Sequence, residues 1–190
     1  ISDGVNTGAT ISYTVTVDDA NDFTPTYSAG DLTPSVAEGS TAVDSFTVSD
    51  ADTDDVNACI RGGADAALFT CTVSGDDITL AFASAPDYDS ASDANSDNDY
   101  IVTVAISDGT NTGSTLSYTV SVTDLNDQTP TYSSSDTTPS ISEGTTAVET
   151  LTVTDTDTGD SNACTLGGAD SGSFDCTCLL YTSDAADESR

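Results

Sequence analysis

The chain has no histidine, no lysine, no methionine and no tryptophan, and its only cations are Arg61 and Arg190. Against them stand 33 aspartates and glutamates, a formal charge of -31 over 190 residues. Each absence removes a class of function. Nucleic-acid binding displaces counterions with lysine and arginine, and docking on anionic lipid needs a basic cluster, so neither nucleic acid nor direct membrane contact fits. Without histidine or lysine the usual general bases and amine nucleophiles are missing, which argues against an enzyme. A glycosidase built on Asp87 and Asp89 fares no better. Paired acids flank a substrate cleft in environments that push their pKa values apart, and these two are same-strand neighbours. No signal peptide and no membrane-spanning apolar run is present. The charge far exceeds what solubility requires and leaves cations as the obvious partner.

What is present is repetition. Ile1-Ser2-Asp3-Gly4 returns as Ile106-Ser107-Asp108-Gly109, and DANDFTPTYS from Asp19 returns as DLNDQTPTYS from Asp124, an offset of 105 without a gap. The same offset carries Glu38 onto Glu143, Asp50 and Asp52 onto Asp155 and Asp157, and Cys59 and Cys71 onto Cys164 and Cys176. What persists between copies is carboxylates and strand residues, the mark of a tandem array with a repeated binding geometry. Alternation in Phe46-Val48, Ile78-Leu80-Phe82, Tyr100-Val102-Val104-Ile106 and Leu116-Tyr118-Val120-Val122 predicts half-buried strands. With no helical period, an all-β sandwich of about seven short strands fits a unit of roughly 100 residues.

The expected organisation is residues 1–22 as the last strands of a preceding unit, 23–127 as a complete one and 128–177 as the first part of a third. The connections at 19–25 and 124–130 have no glycine and no serine run, so they read as short joints and not as flexible tethers. The register breaks at Cys178. From there CLLYTSDAADE looks like the in-frame translation of a sequencing-library adapter, so 178–190 is expected to be a non-native tail. Leaving out Cys178 gives one cysteine pair per repeat at one spacing, Cys59 with Cys71 and Cys164 with Cys176. Two readings stand: a disulfide in each repeat, in an oxidising compartment, or a pair of buried reduced thiols. A zinc site lacks its four convergent ligands.

The acids of the complete repeat are not scattered. Glu38 precedes one strand, Asp50-x-Asp52 follows it, Asp87-x-Asp89 comes late, Asp108 ends another strand, and Asp124-x-Asn126-Asp127 lies at the joint. In extended chain, residues i and i+2 face one side, so each D-x-D holds like charges about 6–7 Å apart, a repulsion of about 2.5 kcal/mol at an effective dielectric of 20. A cation relieves it. Oxygen ligands in flexible geometry suit Ca2+ better than Mg2+, which demands a strict octahedron. Asp65, outside these motifs, reads as a solvated loop acid.

These motifs resemble those of cadherin-type repeats, of the sort found in large bacterial surface proteins. The joint motif D-x-N-D-N-x-P-x-[FY] is similar to DLNDQTPTY and DANDFTPTY, the early glutamate motif to AEG and SEG, and the D-x-D motif to SDADTDDVNA and TDTDTGDSNA. The acidic pair usually written L-D-R-E appears as PDYD, and ISDG supplies the late aspartate. The resemblance implies tandem seven-stranded Greek-key β-sandwiches with calcium between consecutive domains. It assigns Asn21, Asp22, Asp50, Asp52, Asn57 and Asp108 to the first joint, and Glu38, Asp87, Asp89, Asn126, Asp127, Asp155, Asp157 and Asn162 to the second. Asp19 and Asp124 rank behind these as further candidate direct ligands. Phe23 and Gln128 stand where the family has a final asparagine.

The function implied is an extracellular, calcium-stiffened stalk or adhesion module of an envelope- or membrane-anchored protein. Its partners are calcium, the neighbouring repeats, and another cell-surface protein or a glycan. Homophilic adhesion goes with the family, but without tryptophan spacer duty is the firmer expectation. The alternative is a carbohydrate- or protein-binding module in which calcium only holds the frame. Its recognition edge would run from Tyr88 to Tyr100.

Overall fold

Each alternating segment becomes or extends a strand. The computed structural model describes residues 2, 4–53, 56–134, 136–159 and 161–177, so the suspected tail at 178–190 lies outside the described residues. The strands are β1 (Ser35–Ala37), β2 (Ala42–Thr47), β3 (Ala58–Gly62), β4 (Phe69–Ser74), β5 (Asp77–Phe82), β6 (Asp99–Ser107), β7 (Leu116–Thr123), β8 (Thr131–Ser133) and β9 (Thr152–Thr154). No α-helix occurs among the described residues, and Ala66–Leu68 and Ser171–Ser173 form single 3-10 turns.

β1 to β7 make a two-sheet sandwich. One sheet runs β1-β7-β6-β3 and the other β2-β5-β4, with β1 parallel to β7 and every other pair antiparallel. The inward faces are the alternating residues: Tyr100, Val102, Val104 and Ile106 from β6, Tyr118, Val120 and Val122 from β7, and Ile78, Leu80 and Phe82 from β5 are all buried. Burial of each large side chain contributes about 1.5–3 kcal/mol. Phe69 stacks on Phe82 at 4.5 Å, and Tyr100 meets Phe82 edge-on at 5.1 Å, so aromatic rings from both sheets close one part of the core.

Both cysteine pairs are disulfides. Cys59 on β3 joins Cys71 on β4 with Cα atoms 6.1 Å apart, tying the edge strand of one sheet to the edge strand of the other. Cys164–Cys176 repeats the bond at a Cα separation of 6.0 Å. Each closes a short loop, worth about 3 kcal/mol on the chain-entropy view.

Asp65 is not the solvated acid its loop position suggests. The 3-10 turn that follows it directs its side chain inward, where Oδ1 accepts the Ala94 amide and Oδ2 the Ile101 amide, both at 2.7 Å. It thereby staples the turn to the start of β6. Asp93 organises the neighbouring loop in the same way, accepting the amides of Asn95, Asp97 and Asn98. Burial pushes the Asp93 carboxyl up, but these three donors outweigh it and hold the group below its ordinary value.

Candidate metal centres

Strand order brings acids together at opposite ends of the sandwich. β2 and β6 finish at one end, which places Asp50 and Asp52, just beyond β2, beside Asp108, just beyond β6. One carboxylate oxygen from each of the three lies within 4.8 Å of the others. Asp52 and Asp108 are 8% and 5% exposed. Part of each carboxylate is satisfied by backbone: Asp52 Oδ2 accepts the Phe23 amide at 2.7 Å, Asp50 Oδ1 the Ala51 amide, and Asp108 Oδ1 the amides of Thr110 and Asn111. The other oxygens, Asp50 Oδ2, Asp52 Oδ1 and Asp108 Oδ2, are buried with no partner, as is Asn57 Oδ1. At this spacing each carboxylate pair repels by at least about 3 kcal/mol at an effective dielectric of 20. Burial pushes the Asp108 carboxyl up, yet the Asn111 and Thr110 amides prevail and hold it below the ordinary range, so it remains an anion.

The linker is drawn against this end. Asn21 Nδ2 donates to the Asp108 carbonyl at 3.3 Å, and Asn111 Nδ2 donates to Asn21 Oδ1 and to the Phe23 carbonyl. Tyr27 donates its hydroxyl to the Ser114 carbonyl at 2.6 Å and accepts the Ile106 amide at 2.9 Å. Gly113 permits that approach, since a Cβ there would lie 2.5 Å from the Pro25 carbonyl oxygen and the Tyr27 ring. Asp22 is exposed and stands outside the three-acid group.

At the other end Asp89, Asp124 and Asp157 form a second group within 4.8 Å. Asp157 is 7% exposed, and its Oδ2 accepts the Gln128 amide at 2.9 Å. Asp124 Oδ1, Asp157 Oδ1 and both oxygens of Asp155 are buried without partners. Glu38 lies beside the group and is fully engaged by backbone: Oε1 accepts the Leu125 amide and Oε2 the Tyr88 amide, each at 2.7 Å. Desolvation first, then the charges of Asp157, Asp124, Glu38 and Asp87, raise the Asp89 carboxyl above its ordinary value. Asp87 departs from the extended-chain expectation. It lies in irregular chain just before a turn that holds Asp89, its Oδ1 accepts the Ser90 amide at 3.1 Å, and only Asp89 joins the group. Asp127 and Asn126 are exposed, Asp127 Oδ1 accepting from Gln128 Nε2, and Asn162 is half-buried.

Asp19 and Asp124, the lower-ranked ligand candidates, both grip the next turn, and Asp124 also belongs to the second acid group. Asp19 Oδ2 accepts the amide and the hydroxyl of Thr53 at 2.8 and 2.9 Å. Asp124 Oδ2 accepts the same two groups of Thr158, the amide at 2.6 Å. These donors hold both carboxyls below their ordinary values. The signal was available, because Thr53 and Thr158 obey the 105-residue offset as faithfully as the acids do. Between Tyr88 and Tyr100, where the recognition edge is expected, most of the loop is exposed, but its two tyrosines turn toward the core. Tyr100 is 1% exposed in the core, and Tyr88 packs against it.

Among the described residues, the buried side-chain atoms left without a hydrogen-bond partner at the two ends are all hard oxygens, which fits Ca2+ and not a thiophilic metal. The topology is that of an all-β sandwich of the cadherin and immunoglobulin-like class. Among solved structures the chain is similar to protocadherin gammaB7 in the EC3-6 cis-dimer structure, with a TM-score of 0.53 and 23% identity over 74% of this chain and 34% of that one. It is likewise similar to human CDH23 EC21-23, with a TM-score of 0.53 and 18% identity over 74% of this chain and 46% of that one. The chain thus spans less than half of each of these structures. No family model matches the sequence, and no curated protein does.

Proposed function

We propose that the chain is a calcium-binding, extracellular run of cadherin-like repeats that serves as a calcium-stiffened stalk or adhesion module at a cell surface. The observation that carries this reading is the set of buried, unpartnered carboxylate oxygens grouped at both joints. A buried anion without partners is costly, and two such groups at opposite ends of one sandwich are hard to explain without a cation. At the first joint Asp50, Asp52 and Asp108 would hold the ion, with Asn21, Asp22 and Asn57 beside them. At the second, Asp89, Asp124 and Asp157 would do so, with Asp155, Glu38, Asp87, Asn126, Asp127 and Asn162 in the surrounding segments. Bound calcium supplies positive charge that cancels the mutual repulsion of the acids and locks linker to sandwich. The chain's own residues fix the geometry. Phe23 and Gln128 amides orient Asp52 and Asp157, and Glu38 clasps the Leu125 and Tyr88 amides.

The disulfides agree with an oxidising, extracytoplasmic setting, and extracellular calcium modules of this kind bind near 10^-4 to 10^-3 M. Further partners in this reading are the adjoining repeats and a protein or glycan on a facing surface. Small-angle scattering and thermal unfolding of the chain, each in chelator and in millimolar calcium, test it. Calcium should raise the melting temperature and extend the particle, whereas identical curves in both conditions would sink the assignment.

A further inference from the structure

The two joints share a fastening that involves no metal. In each, the first aspartate of the linker accepts both the amide and the hydroxyl of a threonine 34 residues later: Asp19 from Thr53, and Asp124 from Thr158. That threonine directly follows the second acid of the D-x-D pair, Asp52 or Asp157. The same acid accepts a linker amide through one oxygen, from Phe23 or from Gln128, and keeps its other oxygen buried and unpartnered. The acid-bearing turn is therefore held to the linker from two sides. At the second joint, Thr158 uses Asp124 Oδ2 and leaves Oδ1 buried and unpartnered, in a residue that belongs to the same acid group as Asp89 and Asp157.

We propose that Thr53 and Thr158 are positioning residues: each latches the linker's first aspartate before the cation arrives, and thereby sets the calcium affinity of its own joint. The inference rests on the calcium reading above. Hydrogen bonds to a carboxylate are the strong kind, and two from a single residue fix its orientation. A turn ordered in advance loses less conformational freedom when the ion binds, and that difference appears as affinity.

The test is a calcium titration of the full chain followed by NMR, reading the Gln128 and Leu125 amides for the second joint and the Phe23 amide for the first. Thr158→Val keeps the shape and removes the hydroxyl donor. It should weaken binding about tenfold at the second joint, equivalent to about 1.4 kcal/mol, and leave the first unchanged. Thr158→Ser should restore the affinity, and Thr53→Val should show the mirror pattern inside the complete sandwich, where an unchanged melting temperature in chelator verifies folding. If wild type saturates and both valine variants bind equally well, or if either variant weakens both joints alike, the latch is overturned while the calcium reading stands. If wild type shows no saturable shift, the calcium reading fails and the latch goes with it.

Discussion

Residues 23–127 and 128–177 begin with the same plan and reach different ends. The pairing of Thr26 with Ser49 recurs as β8 with β9, the 3-10 turn after Asp65 recurs after Asp170, and the 12-residue disulfide loop recurs intact. The sheets do not recur. Residues 128–177 carry counterparts of 23–72 alone, so nothing among them matches β5, β6 or β7. Phe69 is 1% exposed and its counterpart Phe174 is 52% exposed. The turns and the disulfide are thus written locally, within stretches of a few tens of residues, whereas each acid group draws together residues as far apart as Asp50 and Asp108 or Asp89 and Asp157. The sandwich is a non-local product that needs every strand.

The two segments differ most at the core. Phe69→Ala should cost about 3–5 kcal/mol in denaturant unfolding, and Phe174→Ala should stay within about 0.5 kcal/mol. Comparable losses from both would mean that residues 128–177 carry a core of their own. Replacing Cys59 and Cys71 by serine should remove about 3 kcal/mol from the sandwich transition, read by thermal melting. The same change at Cys164 and Cys176 should leave that transition in place. Asp65→Ala should cost about 2 kcal/mol, because the Ala94 and Ile101 amides lose their acceptors, while Asp170→Ala should be silent. Equal silence at Asp65 would return it to the solvated class.

The smallest effect is a pH dependence confined to the complete sandwich. The Asp93 carboxyl is held below its ordinary value of 3.8. Its stabilisation is therefore complete above that pH and lost as pH falls through the depressed native value. Wild type should exceed Asp93→Asn in stability near neutral pH, and the gap should close below about pH 4. A gap constant down to pH 2 would show that the three amide donors do not act on the charge.

Much of this was legible in the chain. Period-2 alternation exposed the inward faces of β5, β6 and β7, because a half-buried strand leaves a strict pattern. The 105-residue offset singled out Asp50, Asp52 and Asp108, which meet at one end of the sandwich. What stayed hidden depended on bends and on backbone partners remote in sequence. Asp87 and Asp89 lie where irregular chain runs into a turn, so the i, i+2 rule for extended chain does not apply to them. Asp65 takes its partners from residues 94 and 101, a pairing that no local pattern announces. The threonine latch was visible as a repeat, but threonine beside acids carries no chemical flag of its own.

If the unpartnered oxygens at the joints exist for a cation, Asp52→Asn should affect stability in opposite directions without and with calcium. The amide oxygen can still accept from the Phe23 amide, while the amide nitrogen replaces the orphaned Oδ1 and donates toward Asp50 and Asp108. One charge leaves a crowded group, so the melting temperature in chelator should rise above wild type. In millimolar calcium a ligand has been lost, and the melting temperature should fall below wild type. A shift of the same sign in both conditions would contradict the account.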